Sequence, residues 1–91
     1  MSDNSPHSSL IEFPCDFKIK AMGKNDKAFE EIVMSIVKNE FPNIQLSDIT
    51  RRPSKDAHYT ALTITVHATS KQQLDNVYQG LSDAPEILMA L

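Results

Sequence analysis

Hydrophobic and polar side chains alternate from Cys15 to Met22, in the segment CDFKIKAM. A period of two is typical of a β-strand with one buried face, because successive side chains of a strand point to opposite sides. Pro14 is compatible only with the start of such a strand, and Gly23 breaks the pattern at its end. The residues expected in the core are Cys15, Phe17, Ile19 and Ala21, and those expected on the opposite face are Asp16, Lys18, Lys20 and Met22.

The spacing of hydrophobic residues changes after Gly23 to steps of three and four. This spacing predicts an amphipathic helix with one apolar side. Asn25 or Asp26 is expected to cap its N-terminus. The helix is expected to end near Glu40, because Pro42 disfavours the helical conformation of the residue before it. The predicted apolar side consists of Phe29, Ile32, Val33, Ile36 and Val37.

Two strands joined by a hairpin loop are predicted next. In the first arm, NIQLSDITRR, Ile44 and Leu46 share one parity and Ile49 has the other, which predicts an irregularity at Ser47-Asp48 and a weak strand at a sheet edge. The second arm, HYTALTITVHAT, is rich in β-branched residues, as central strands are. Its core face is expected to carry Leu62, Ile64, Val66 and Ala68, and its other face Ala61, Thr63, Thr65 and His67.

A second helix and a short final strand complete the pattern. Ser70 and Gln73 have the spacing of a capping box, and Pro85 separates the helix from the final strand. The helix is predicted to bury Leu74, Val77, Tyr78 and Leu81, and the final segment EILMAL is predicted to turn Ile87, Met89 and Leu91 to the core.

The order strand, helix, strand, strand, helix, strand predicts a ferredoxin-like βαββαβ domain of the α+β class. Right-handed crossovers place both helices on one face of a four-stranded antiparallel sheet, so the other face is open. The first and third strands are expected to be central. The predicted domain covers residues 12–91, and residues 1–11, which are rich in Ser, Asp and Asn, are predicted to be a disordered tail.

Composition limits the classes of function. The chain has 91 residues, enough for one domain, and a formal net charge of −3 with a pI of about 5.5, which disfavours general nucleic-acid binding. The start of the sequence does not resemble a signal peptide, and no apolar run is long enough to span a membrane, so a cytoplasmic location is expected. Cys15 is the single cysteine, and no metal or cofactor is predicted.

The open sheet face is the first candidate site. Threonines and lysines are typical of a solvated sheet face, but lysines on a central strand beside a histidine also suit contact with a protein or an anionic ligand. RNA recognition on this face would need aromatic platforms at the central positions, which hold lysine and threonine instead. The candidate contact residues are Lys18, Lys20, Thr63, Thr65 and His67.

The turn AMGKND is the second candidate site. A glycine there permits a positive φ or a close backbone approach, and the helix N-terminus behind it can receive an anion. A plain tight turn is the alternative. Gly23, Lys24 and Asn25 are the candidate contact residues.

The segments EFPCDFKIKAMG, HYTALTITVHATSKQQLDNVYQGL and ILMAL resemble the YbeD-like family of small uncharacterised bacterial proteins. The resemblance covers Glu12 to Leu91. It implies a βαββαβ fold similar to that of ACT-type regulatory domains, which bind small molecules such as amino acids at a subunit interface near the turn after the first strand. In this chain that turn is Gly23 to Asp26. The resemblance implies no reaction and no catalytic residues.

The pattern and the resemblance together predict a non-enzymatic regulatory or adaptor domain that binds a protein partner or a small-molecule effector. A homodimer is an open possibility, because edge strands pair readily with other chains. A small ferredoxin-like hydrolase such as an acylphosphatase is the competing hypothesis, but the loop GKND lacks the arginine that such an enzyme needs after its first strand. An RNA-binding domain is the third.

Overall fold

The computed structural model describes residues 12–91. The predicted disordered tail, residues 1–11, lies outside the described residues. The elements in chain order are β1 (Cys15–Lys24), α1 (Lys27–Glu40), a 3-10 turn (Leu46–Asp48), β2 (Ile49–Pro53), β3 (Tyr59–Ala68), α2 (Lys71–Asp83) and β4 (Ile87–Ala90).

The four strands form one antiparallel sheet in the order β2-β3-β1-β4. The predicted ferredoxin-like βαββαβ arrangement is confirmed, including the central positions of β1 and β3. β1 and β3 are paired over their whole length, from Cys15 opposite Ala68 to Lys24 opposite Tyr59. This pairing is the longest in the sheet, because both strands have ten residues of unbroken alternation.

The core lies between the sheet and the two helices. Ile19, Ile64 and Val77 have no exposed surface, and they come from β1, β3 and α2 respectively. The predicted core faces of β1 and β3 are thus correct. The buried hydrophobic residues are Ile19, Ala21, Phe29, Val33, Val37, Phe41, Leu62, Ile64, Val66, Ala68, Leu74, Val77 and Leu81.

The two helices begin at the predicted side-chain caps. The Asp26 carboxylate accepts a hydrogen bond of 2.9 Å from the Phe29 backbone N–H, so Asp26 and not Asn25 is the cap of α1. Ser70 caps α2 by accepting from the Gln73 N–H at 3.4 Å. The reciprocal half of the predicted capping box differs, because the Gln73 side chain accepts from the backbone N–H of Thr69, at 2.8 Å.

The segment before β2 differs from the expected strand. Ile44 and Leu46 were expected to share a strand with Ile49, but β2 begins only at Ile49. The irregularity expected at Ser47-Asp48 is a 3-10 turn, and Leu46 within it is 87% exposed. Because the turn interrupts the extended backbone, Leu46 and Ile49 need not follow one strand alternation. The edge position of β2 is as predicted.

The predicted orientation of the last strand is wrong for Met89 and Leu91. Met22 is opposite Met89, whereas the next residue of β1, Gly23, is opposite Ile87, so Leu88 is an extra residue in a β-bulge. A bulge shifts the side-chain alternation by one residue. Ile87 and Ala90 therefore pack on the core, while Met89 and Leu91 lie on the opposite side of the sheet.

Candidate functional site

The open face is the side of the sheet away from the helices. Residues directly opposite each other on paired antiparallel strands share a face, so the register defines the members of this surface. Its members are Asp16, Lys18, Lys20, Met22 and Lys24 of β1, Thr50 and Arg52 of β2, Tyr59, Ala61, Thr63, Thr65 and His67 of β3, and Met89 and Leu91 at the β4 side.

The structure brings the predicted candidates of this face together in adjacent cross-strand pairs. Lys18 is opposite Thr65, and Lys20 is opposite Thr63. Both lysines are exposed. Within residues 12–91, neither has a carboxylate within ion-pair distance. The two ammonium groups are therefore available to an anionic partner.

His67 is the exception among these candidates, because it already has a partner. Its Nδ1 lies 3.2 Å from a carboxylate oxygen of Asp16, the residue opposite it on β1. Both side chains are well exposed. Asp16, the single side-chain carboxylate among the described members of the open face, thus contacts His67 and forms an ion pair with neither lysine.

The other end of the open face carries four exposed hydrophobic side chains, with Lys24 opposite one of them, Tyr59. Met22 is 39% exposed, Tyr59 43%, Met89 52% and Leu91 68%. Leu91 is held beside Lys20 by two backbone hydrogen bonds, of 3.1 and 2.8 Å. We call Met22, Tyr59, Met89 and Leu91 the apolar end.

Of the apolar end, the sequence analysis placed Met22 on the open face but turned Met89 and Leu91 to the core. The parity of Tyr59 was available from the alternation of β3, but the positions of Met89 and Leu91 depend on the bulge at Leu88. A single extra residue in a four-residue strand leaves no hydrophobic pattern long enough to reveal it.

Two neighbouring arginines of β2 have different environments. Arg51 faces the helix side and forms a bidentate ion pair with Glu30 of α1. The hydrogen bonds and charge of Glu30 raise the pKa of the Arg51 guanidinium. Arg52 is opposite Ala61 on the open face and is exposed. Among the described residues neither Arg52 nor Lys24, which is opposite Tyr59, has a carboxylate partner, so the open face has four available cations: Lys18, Lys20, Lys24 and Arg52.

The turn after β1 has a clear structural explanation. A Cβ atom at Gly23 would lie 2.2 Å from the ring of Phe29 and 2.8 Å from the carbonyl oxygen of Glu86. Gly23 has no positive φ, so the glycine serves a close approach and not an unusual backbone conformation. The position next to the helix N-terminus is taken by the carboxylate of Asp26. That carboxylate occupies the place where an external anion would bind.

Asn25 connects this turn to the β2–β3 hairpin. Its side-chain Nδ2 donates to the Ala57 carbonyl at 2.9 Å, and its Oδ1 accepts from the Thr60 hydroxyl at 2.7 Å. Thr60 is a buried polar residue, and this bond satisfies its hydroxyl. Lys24 is exposed beside a depression of about 320 Å³ that Glu86 and Leu88 also line.

A shallow cleft of about 420 Å³ lies beside His67, next to the beginning of β2 and the segment that follows α1. Thr65 and His67 form one wall, and Phe41 and Asp48 line the other side. The volume falls within the range of small-molecule pockets. Two of the open-face candidates, Thr65 and His67, thus border a concavity.

Residues 12–91 contain no group of three or more His, Cys, Asp or Glu side chains that could hold a metal ion. His58 and His67 lie at opposite ends of β3 and contact different carboxylates, Asp56 at 3.3 Å and Asp16 at 3.2 Å. The same residues contain no helix of the length and hydropathy that a membrane span requires.

The fold and the uncovered sheet face define a small ferredoxin-like α+β protein. Residues 8–91 match the family DUF493, described as a protein of unknown function. The chain belongs to this family, which is the YbeD-like family of small bacterial proteins. Its curated relatives are named UPF0250 proteins. The family membership predicted from the sequence is thereby confirmed.

Relatives match along nearly the whole chain. A UPF0250 protein of Paraburkholderia phytofirmans is 42% identical over 88 residues, which cover 97% of this chain and 99% of that protein. A UPF0250 protein of Nitrosomonas europaea is 47% identical over 83 residues, covering 91% of this chain and 95% of the relative. The solution structure of protein HP0495 from H. pylori is similar with a TM-score of 0.64 at 12% identity, covering 100% of this chain and 98% of that one, and it supports the fold.

Proposed function

We propose that this protein is a non-enzymatic regulatory or adaptor domain, located in the cytoplasm, that acts by binding a protein partner or a small-molecule effector. The contact surface is the open face of the sheet. The observation that carries the proposal is the combination of an exposed apolar end with four cations, Lys18, Lys20, Lys24 and Arg52, that lack carboxylate partners within residues 12–91.

An ordinary solvated sheet face differs from this surface in its hydrophobic content. Scattered exposed hydrophobic residues need no explanation, but contiguous ones surrounded by polar residues mark interaction sites. Met22 and Met89 are opposite each other, and Leu91 is hydrogen-bonded to Lys20, the next residue of β1 on the same face. The exposed hydrophobic side chains are thus contiguous. A protein partner uses such a patch better than a small effector, which fits the cleft beside His67.

A hydrolase of the acylphosphatase type is supported less well. That chemistry needs an arginine in an anion-binding loop after the first strand, and here the loop carries Lys24 and uses the Asp26 carboxylate to cap α1. RNA binding would need aromatic side chains in the middle of the open face, where Lys20 and Thr63 are opposite each other.

Site-directed photocrosslinking in cells tests the proposal. A photoreactive p-benzoylphenylalanine replaces Thr65 on the open face or, as the matched control, Glu31 on the exposed side of α1. We expect a discrete crosslinked product from position 65 that is lost when Lys18 and Lys20 are changed to glutamate, and none from position 31. Products that are equal at both positions, or that are insensitive to the lysine changes, would show that the open face is only a solvated surface.

A further inference from the structure

The two edge strands of the sheet differ in their protection against pairing. β2 carries two arginines and ends at Pro53, features that discourage the addition of another strand. β4, with the sequence ILMA, has neither a charge nor a proline. Its residues Leu88 and Met89 are 57% and 52% exposed. The β4 edge is therefore open to a further strand, whereas the β2 edge is blunted.

The backbone of β4 offers hydrogen-bonding groups to such a strand. Leu91 exchanges two hydrogen bonds with Lys20, and Met89 is opposite Met22, so these residues direct their backbone groups towards β1. Ala90 lies between them. Because hydrogen-bonding directions alternate along a strand, the N–H and C=O of Ala90 point away from β1.

The lysines of β1 next to this edge favour an added strand that carries acidic side chains. A fifth strand beside β4 lies about 10 Å from β1, two strand spacings away. Lys20 of β1 and an acidic side chain of the added strand together span that distance, and Lys18 lies two residues further along β1. Asp16, the single side-chain carboxylate among the described members of the open face, contacts His67 and forms an ion pair with neither lysine.

We propose that the β4 edge and the apolar end receive an extended, acidic segment of another protein, which adds as a fifth strand. Its aliphatic side chains pack beside Met89 and Leu91, and its carboxylates bind Lys20 and Lys18. The proposal rests on the binding role proposed above and names the partner's chemistry. A second copy of this chain fits less well, because its open face brings the same four cations and, among the described residues, no side-chain carboxylate other than Asp16.

Labelled synthetic peptides test the partner's chemistry on the full-length protein. In the acidic probe, threonine occupies every second position and the intervening positions are leucine, leucine, glutamate and glutamate. The matched basic probe has lysine in place of both glutamates. Fluorescence anisotropy measures the dissociation constants at low and high salt. We expect the acidic probe to bind at least about tenfold more tightly than the basic one, and to weaken as salt is added.

Substitutions locate the binding. Lys20→Glu and Met89→Thr should each weaken binding of the acidic probe by about tenfold or more, the first by reversing a charge and the second by removing apolar contact. Lys38→Glu on α1 is the matched control and should change binding less than about twofold, because that residue lies in the helical layer. Circular dichroism confirms that each variant is folded.

Three results would overturn this inference: no binding of the acidic probe, equal binding of both probes, or binding unaffected by Lys20→Glu. Sedimentation analysis adds a fourth, since concentration-dependent self-association that Met89→Thr abolishes would assign the edge to a second copy. If the acidic probe does not bind, the photocrosslink at position 65 still tests the open face independently. A crosslink without acidic-probe binding retains the open face as a binding surface for a partner of other chemistry.

Discussion

The replacement of Gly23 by alanine tests the tightest contact around the turn after β1. The new Cβ would lie 2.2 and 2.5 Å from two ring atoms of Phe29 and 2.8 Å from the Glu86 carbonyl oxygen. Carbon atoms in contact are normally separated by about 3.5–4.0 Å, so the ring must move by more than about 1 Å. Phe29 is 1% exposed and cannot move without disturbing the core.

The expected cost is the balance of two opposing effects. Overpacking of a well-packed core costs about 1–3 kcal/mol, and here one of the obstructing atoms belongs to the backbone. Replacement of glycine also restricts the unfolded chain, which offsets about 0.4–1 kcal/mol of the cost. Because the backbone carbonyl group cannot easily move, we place the overpacking cost near the top of its range and expect Gly23→Ala to lower the free energy of unfolding by about 2 kcal/mol. With a urea dependence of about 1 kcal/mol per molar for a domain of this size, the unfolding midpoint falls by about 2 M.

Urea unfolding followed by far-ultraviolet circular dichroism measures this change. Gly80→Ala is a comparison with one contact below 3.0 Å instead of three, because its Cβ would meet only the Cγ2 methyl group of Ile36 that closely, at 2.8 Å. That methyl group must also shift, but alanine is favoured over glycine inside a helix by about 1 kcal/mol, so this variant should lose less stability than Gly23→Ala. Combining Gly23→Ala with Phe29→Leu should cost at least about 1 kcal/mol less than the two separate changes added together. A loss below about 0.5 kcal/mol for Gly23→Ala, or strict additivity with Phe29→Leu, would refute the steric explanation.

Three further predictions test the alternation of β3, the hairpin and the helix side of the sheet. Ile64→Asp should leave the protein unfolded at neutral pH, because Ile64 has no exposed surface and a carboxylate there has no partner. Thr65→Asp, on the open face, should retain the native circular dichroism spectrum, and a folded Ile64→Asp variant would contradict the assignment of faces. Ala57 has a φ of 61°, so Ala57→Gly should raise the free energy of unfolding by about 0.5 kcal/mol in the same urea assay, and a loss of stability would show that the left-handed conformation is not strained. Burial raises the pKa of Tyr78 above its ordinary value of 10.0, so its contribution to stability is complete below that pH and declines as the pH rises through the folded-state pKa. The stability of the native protein relative to Tyr78→Phe should therefore decrease from about pH 10 upward, and a constant difference up to pH 11 would argue against this titration.

The long, regular elements could be predicted from sequence because their patterns extend over ten or more residues. The alternation in β1 and β3 fixed which residues enter the core, and Asp26 and Ser70 marked the helix starts. Short segments lack this redundancy. The 3-10 turn at Leu46 and the bulge at Leu88 each involve a local change of backbone geometry, which depends on packing against the rest of the fold.

The candidate site was predictable to the same extent. The polar members of the open face follow directly from the alternation of two central strands, and the structure places them in opposite pairs such as Lys18 and Thr65. Its apolar end was missed where it depends on β4. The role of Asn25 was also hidden, because its hydrogen bonds reach Ala57 and Thr60, more than thirty residues away in the chain. Asn25, which the sequence analysis considered as a ligand contact, joins the turn after β1 to the β2–β3 hairpin through these hydrogen bonds.

Gly23 links the core to the proposed binding edge. The Glu86 carbonyl lies 2.8 Å from the position of a Cβ at Gly23, so the chain entering β4 passes directly over this residue. Gly23 is opposite Ile87, while its neighbour Met22 is opposite Met89, so the bulge lies at the same place. A larger residue at position 23 would push this part of β4 away from β1 and disturb the register that directs Met89 to the open face. Gly23 therefore bears on the binding surface through the position of β4, even though its own backbone packs against Phe29 inside the core.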